Sequence, residues 1–411
     1  MDEKMILLIM LVIVTADFIL ERTLGYFNSK SAKKPIPDEL KGIYDEEKYR
    51  KSQDYNRTVT KFGNWMAVLS FMVTICALYF GWFGWLDKWI RNFSPLAPVT
   101  SLIFFGILFL LSEVIGTPFS YYQNFVIEEK FGFNKMTKKT FWMDKLKGLI
   151  LTIIIGGILI SLLLYLIMTM GSGFWIYFWA VITLFVLFMN VFYTSLILPL
   201  FNKLTPMEEG ALYDSIKSYS EKVRFPLKNI FVMDGSKRSS KGNAFFSGLG
   251  RNKKVVLFDT LVEKHSVEEL TAVFAHEVGH FKKKHIILST VISILTTGFM
   301  LFLLSRMVFS SEVSYAMGGD MTAIHLNILA FGILFTPVSR ILGIFGNMLS
   351  RKNEFEADAY ARETYAAQPL ITALKTMSSD HLSNLTPHPA YVFVHYSHPP
   401  LKERVRAMLG A

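Results

Sequence analysis

Cysteine is almost absent from this chain. The single Cys76 lies within an apolar run, which excludes intramolecular disulfides and any cysteine-rich metal site, so a bound metal must be held by His and carboxylate. Charge is scarce too. Charged residues make up 18% of the chain against 52% hydrophobic and 15% aromatic, and the mean hydropathy is +0.35. The apolar residues gather in long runs instead of recurring at helix or strand period, so an ordinary soluble protein is excluded and the bilayer is the solvent to consider. Acidic residues are in the minority, with 33 Asp and Glu against 43 Lys and Arg, a net charge of +10. In a chain with this many apolar runs, that excess reads as cytosolic-face charge at a membrane, with no nucleic-acid partner.

Seven runs reach or approach the ~20 residues that cross a bilayer as a helix: Met5 to Leu20, Trp65 to Leu86, Leu96 to Tyr121, Leu149 to Met170, Phe174 to Leu200, Ile286 to Leu304 and Ala323 to Leu349. The first is broken by Asp17 and no small-residue cleavage site follows it, so it reads as a retained span and not a signal peptide. Of the 43 Lys and Arg, 38 fall in one alternating set of intervening segments and 4 in the other, with Arg340 inside the seventh run. Positive residues accumulate on the cytosolic side, which orients the chain with its N-terminus outside and its C-terminus inside. The expected organisation is residues 1–200 as five spans with cytosolic loops, 201–285 as a cytosolic piece, 286–350 as spans six and seven, and 351–411 as a second cytosolic piece. Asp17, Glu113, Asn190 and Arg340 lie within spans. Such residues mark the pathway of a transporter or receptor, or they pair across the bundle.

The stretch that organises the rest is Ala275-His276-Glu277-Val278-Gly279-His280. It lies in a proline-free segment that reads as a helix running without a break into the sixth span. On a helix, residues four apart share a face, so both imidazoles can hold one Zn²⁺ while Glu277 reaches the water on it. A catalytic zinc needs a third protein ligand from another element. The candidate is Glu354, directly after the seventh span, with Asp358 one turn on and on the same face to accept a hydrogen bond from a ligating imidazole. Glu356 points elsewhere on that helix. His285 closes the basic cluster Lys282-Lys283-Lys284 and reads as interfacial; His265, His325, His381 and His388 read as structural.

Upstream, Ala211 to Val223 reads as an amphipathic helix, and Asn229 to Met233 and Lys254 to Phe258 as strands. Between them Gly235 to Phe246 passes from polar to aromatic, as a turn into an edge strand does. Such an edge can pair with an extended peptide and hold it over a metal; a plain solvated hairpin is the alternative. Near the C-terminus, His395 to Arg404 combines two histidines, a Pro pair and a short amphipathic helix, and would present a donor able to stabilise an oxyanion. With Glu277 taking the proton of a zinc-activated water, these parts describe peptide-bond hydrolysis.

The ordered set of motifs resembles the type I CAAX prenyl proteases, integral-membrane zinc metallopeptidases, over nearly the full length. The resemblance rests on Val126 to Asn134, Pro199 to Lys203, Asn243-Ala244-Phe245, Val256 to Thr260, HEVGH, Glu354 to Asp358 and His395 to Leu401. It implies a mainly α polytopic fold, seven transmembrane helices forming a barrel around a water-filled chamber, with a gluzincin-type metalloprotease domain carrying a small β-sheet. It also implies one Zn²⁺ held by His276, His280 and Glu354, Glu277 as general base and His398 beside the scissile carbonyl. Asn243, Ala244, Phe245, His395 and Arg404 are the expected substrate-contacting residues. The expected partners are membrane lipid and a peptide or protein ending in a prenylated cysteine, or unprenylated chains if the enzyme serves quality control. The implied location is the endoplasmic reticulum membrane in a eukaryote or the cytoplasmic membrane in a prokaryote.

Overall fold

The structure is a computed structural model and describes residues 1–94, 96–247 and 253–410. Helices dominate. Four helical runs are long and apolar enough to cross a membrane: Glu46–Tyr79, Ala97–Phe131, Lys138–Phe201 and His285–Met307. A fifth is the pair Ile324–Leu334 and Thr336–Thr364, bent by 50°. Only 11–17% of the apolar windows of the four is buried within the protein, and helices so apolar and so little covered need lipid as their solvent. The run Lys138–Phe201 is 64 residues long, roughly 96 Å if straight, three times a ~30 Å hydrocarbon core. It does not run straight. At Gly171 the backbone takes φ +53 and ψ −138, a region open essentially only to glycine, and Gly157–Met170 turns back against Phe174–Leu196. Their seam is filled by Leu166, Ile167, Phe174 and Phe178.

The first apolar run is the helix Glu3–Ser31, whose Asp17, Glu21 and Arg22 keep it off the strictly apolar set. Those charges are not stranded. Arg340 reaches from the long helix Thr336–Thr364 to Asp17 and Glu21 at once, and Glu113 pairs with Lys145 at 3.2 Å. Asn190 returns its amide to the Val186 carbonyl at 3.0 Å. Pairing across helices therefore accounts for Asp17, Arg340 and Glu113, as burial in lipid requires. At the bundle end away from the sheet, His325 sits between Ser101 (3.0 Å) and Asp87 (2.9 Å), a structural role.

The soluble part closes around a four-stranded sheet of order β1-β2-β4-β3, with β1 Leu204–Pro206, β2 Leu227–Met233, β3 Ala244–Ser247 and β4 Lys253–Phe258. β2 and β4 are parallel; β3 runs antiparallel to β4 and stands at the edge. The helices Ala211–Lys222 and Val267–Lys282 cover the sheet, burying Ile216, Tyr219, Phe225, Ile230, Val255, Leu257, Phe274 and Val278 in one core.

Val267–Lys282 is the motif helix. Ser266 caps it by accepting the Glu269 N–H at 3.2 Å, and Glu268 and Glu269 complement the positive end of its dipole. It does not continue into the next span as the sequence suggests. Lys284 adopts φ +59, breaking the rod before His285–Met307 begins. The motif helix packs on the long helix, and at their crossing a Cβ on Gly279 would lie 3.0 Å from the Ala357 Cα and 3.1 Å from its carbonyl oxygen. Both contacts are with backbone, which yields poorly. Gly279→Ala is therefore expected to destabilise the protein by about 1–3 kcal/mol through overpacking, read as a lower thermal midpoint of the purified protein in detergent.

Candidate metal centre

Three side chains from two helices converge where the motif helix crosses the long helix. His276 and His280 present their Nε2 atoms to each other at 3.2 Å, and Glu354 lies 3.6 Å from the first and 3.3 Å from the second. The three offer ligand atoms all within 4.8 Å of one another. Each imidazole is anchored through its other nitrogen. His276 Nδ1 meets Asp358 at 2.9 Å, while His280 Nδ1 meets His285 Nδ1 at 3.0 Å. His285 in turn places Nε2 3.1 Å from Glu356. Donation outward from both Nδ1 atoms leaves two Nε2 lone pairs and a carboxylate facing one point. Such a donor set is self-repelling without a cation between its members, so these residues fit a metal ion.

Behind Glu354 stands Arg404, from the helix Leu401–Leu409. It grips Asp358 with two hydrogen bonds, at 2.8 and 2.7 Å, and reaches Glu354 at 3.2 Å. All of its charge is spent on those carboxylates and it is buried. A buried guanidinium must pair, and the partners of Arg404, which the sequence places among the substrate residues, are Glu354 and Asp358. His395 is also displaced from expectation. It faces Glu21 of the first helix at 3.4 Å, because the turn after Pro389–His395 sends the two histidines in different directions. His398 is the one at the site, 3.4 Å from Glu354, its side chain 65% exposed and its Nδ1 held by Ser397 at 3.0 Å. Arg351 fixes this segment by donating to the carbonyls of Val392 and Tyr396.

Asn243 precedes the edge strand β3. Its carbonyl accepts the Phe258 N–H at 3.0 Å and its Oδ1 accepts the Ala244 N–H at 2.8 Å, which sets where the strand begins. Ala244 and Phe245 pair with Leu257 and Val256 of β4, and Phe246 lays its ring against Phe274 of the motif helix. The edge is thus tied to the helix that carries the histidines. A cavity of about 410 Å³ adjoins His280 and His285 on the membrane side, lined by Asn190, Ser289, Thr290, Ser293 and Asn353. Val186, Ile286 and Ser350 complete its lining, so polar and apolar side chains share the wall.

Electrostatics separates the carboxylates. Burial alone would raise Glu354, but the His280 hydrogen bond and the Arg404 charge outweigh it and bring the group down to about 2. Asp358 likewise falls to about 2 against its burial, through Arg404 and His276. Glu277 goes the other way: burial raises it, and the nearby Glu354 carboxylate adds to that. A carboxylate raised toward neutrality is suited to exchange a proton, while the depressed pair stays anionic.

Sequence reasoning missed His285 and Glu356. In a continuous helix, residues 280 and 285 point about 140° apart; the left-handed Lys284 folds His285 back onto His280. A charged run ahead of a span was the one available hint.

A histidine-bearing HEXXH helix, a carboxylate from a second helix and a set of bilayer-length apolar helices together define an integral-membrane metallopeptidase. Residues 26–203 match the family described as CAAX prenyl protease N-terminal, five membrane helices, and residues 206–411 match peptidase family M48. CAAX prenyl protease 1 of Saccharomyces cerevisiae is 34% identical over 96% of this chain and 93% of its own, and the human CAAX prenyl protease 1 homolog is 34% identical over 91% and 88%. The crystal structure of S. mikatae Ste24p superposes with a TM-score of 0.92 at 33% identity, covering 98% of this chain and 99% of that one. The chain belongs to the type I CAAX prenyl protease family within peptidase family M48.

Two outcomes follow from the anchoring network. Glu356→Gln weakens the orientation of His285 and through it His280, and metal affinity should fall about 10–100-fold, read by competition with a chelator. Glu354 and Asp358 have folded values near 2, below the ordinary 4.5 and 3.8. Depressed acids contribute stability that is present above the unfolded values and lost as pH falls through the folded ones. The thermal midpoint of metal-free protein should therefore drop as pH is lowered from about 5 toward 2, and less steeply in Asp358→Asn.

Proposed function

We propose that this chain is a zinc endopeptidase that cleaves peptide bonds near the C-terminus of prenylated CAAX proteins at the cytosolic face of its membrane. The observation that carries the reading is the convergence of His276, His280 and Glu354 in a domain built on bilayer-spanning helices, in a chain similar over nearly its whole length to proteins named CAAX prenyl protease 1. His276, His280 and Glu354 hold the ion, and His-plus-carboxylate ligation with no cysteine suits zinc. Zinc in that position lowers the pKa of a water and polarises a carbonyl. Glu277, adjacent to His276 on the motif helix, would accept the water's proton and return it to the leaving amine. His398 donates a hydrogen bond to the oxyanion of the scissile carbonyl from its exposed position beside Glu354. The substrate runs as an extended strand along β3, its backbone paired with Ala244 and Phe245 and its entry bounded by Asn243.

Seven spans accommodate this chemistry. The helical hairpin at Gly171–Gly173 supplies two, the bent pair one, and the paired charges of Glu3–Ser31 allow that helix to be the first. A barrel of seven helices around a wet chamber then delivers a lipid-modified tail to the metal from within the membrane. The positive-inside distribution supports the cytosolic placement of the metalloprotease domain.

Glu277→Gln should retain one zinc per chain and lose hydrolysis of a farnesylated CAAX peptide by at least about a hundredfold, the lower range of a general base's contribution; an active Glu277→Gln enzyme overturns the assignment. Equal cleavage of the matched unprenylated peptide would instead point to quality-control proteolysis.

A further inference from the structure

A second site lies away from the metal, where the helices Glu46–Tyr79 and Ala97–Tyr122 leave the apolar region on the side of the metalloprotease domain. A cavity of about 570 Å³ opens between them. Its rim carries Arg57, Lys61 and Lys130 against one carboxylate, Asp54, and its wall is formed by Phe62, Trp65 and Tyr122 over the buried Ile127. Among the described residues none of the three cations forms an ion pair. Lys130 touches only the ring of Phe131, at 5.3 Å. Nearby, Lys241 meets Glu128 at 3.0 Å and Arg238 meets Asp144 at 2.8 Å. Three cations without an ion pair are thus gathered on one cavity against a single carboxylate.

The aromatics say what kind of anion belongs there. Trp65 is 69% exposed and Tyr122 47% exposed, at the points where the apolar runs of the two helices begin and end. Such residues lie at headgroup depth. Below them the same faces continue as exposed apolar tracks, Trp65-Leu69-Met72 on one helix and Ile115 seven residues before Tyr122 on the other. Cations above, aromatics between and two apolar tracks beneath match a phospholipid's phosphate, glycerol level and acyl chains in that order. A soluble anion would have no use for the tracks.

We infer that this cleft, bounded by Arg57, Lys61, Lys130, Trp65 and Tyr122, is a binding site for an anionic phospholipid. It rests on the membrane placement of the two helices and not on the assigned chemistry of the metal centre.

The test titrates purified protein in neutral detergent with phosphatidylserine and with phosphatidylcholine of the same acyl chains, counting bound lipids by native mass spectrometry. Phosphatidylserine is expected to bind at least about tenfold more tightly. The triple variant Arg57→Gln/Lys61→Gln/Lys130→Gln should lose about tenfold or more of that preference, and Lys61→Arg/Lys130→Arg should keep it. Equal affinity for the two lipids in the wild type overturns the proposal whether or not the triple variant folds. So does an unchanged preference in a folded triple variant. Displacement of phosphatidylserine by millimolar-range inorganic phosphate, or by a Glu-rich peptide, would reassign the cleft to a free anion or an acidic protein segment.

Discussion

The structure depends on the close crossing of two helices at Gly279 and Ala357. Neither helix can form the His-His-Glu cluster alone: one carries the two imidazoles, the other Glu354 and the Asp358 that meets the first imidazole. Their backbones approach so closely that a Cβ at 279 would force its neighbours to give way, and a residue without one fits the motif helix best there. From that contact the rest is arranged. Glu354 and Asp358, one turn apart, meet the histidines because the crossing holds the two faces in register; Arg404 closes behind them, and His285 folds in from the far side of the Lys284 break.

Around this contact the protein keeps two solvents apart. The apolar helices bury little of their own surface and leave the bilayer to cover it, whereas the domain above them closes a conventional core between a four-stranded sheet and its helices. Charge that enters the apolar region is paired, as Arg340 is with Asp17 and Glu21. A cavity beside His280 and His285 opens between these two regions. At the boundary between the two solvents, Arg57, Lys61 and Lys130 form no ion pair among the described residues, and the proposed lipid headgroup would supply the counter-charge.

Within the site, burial and charge divide similar groups into different tasks. Glu354 and Asp358 stay anionic because each has a positive partner at hydrogen-bond distance, and Glu277 on the same helix as the histidines is raised because its burial is incompletely compensated. Three carboxylates within one cluster thus differ in charge, as the proposed tasks of ligand, orienting acid and proton carrier require.

Much of this was legible in the residues. Helical periodicity put His276 and His280 on one face and Glu354 and Asp358 on another, because spacing within a helix is set by the backbone alone. The β-rich stretches of 229–233 and 254–258 gave their strands and Ala244 its place at the sheet edge, whereas the apolar runs 65–86 and 323–349 are each broken, at Gly81 and at Phe335. Tertiary structure decided what lies between elements. His285 reaches His280 through one left-handed residue that no local pattern announced; Glu356, facing away from the ligands on its own helix, serves the site through His285; and Arg404 turned from the cleft to the buried acids. His395 and His398, three residues apart, were separated by a turn whose direction depends on Arg351 across the fold. The sequence by itself determined the ligand types and the faces they share, since these follow from local geometry. Which face meets which was decided only by packing, because that depends on backbones coming within contact distance from remote parts of the chain.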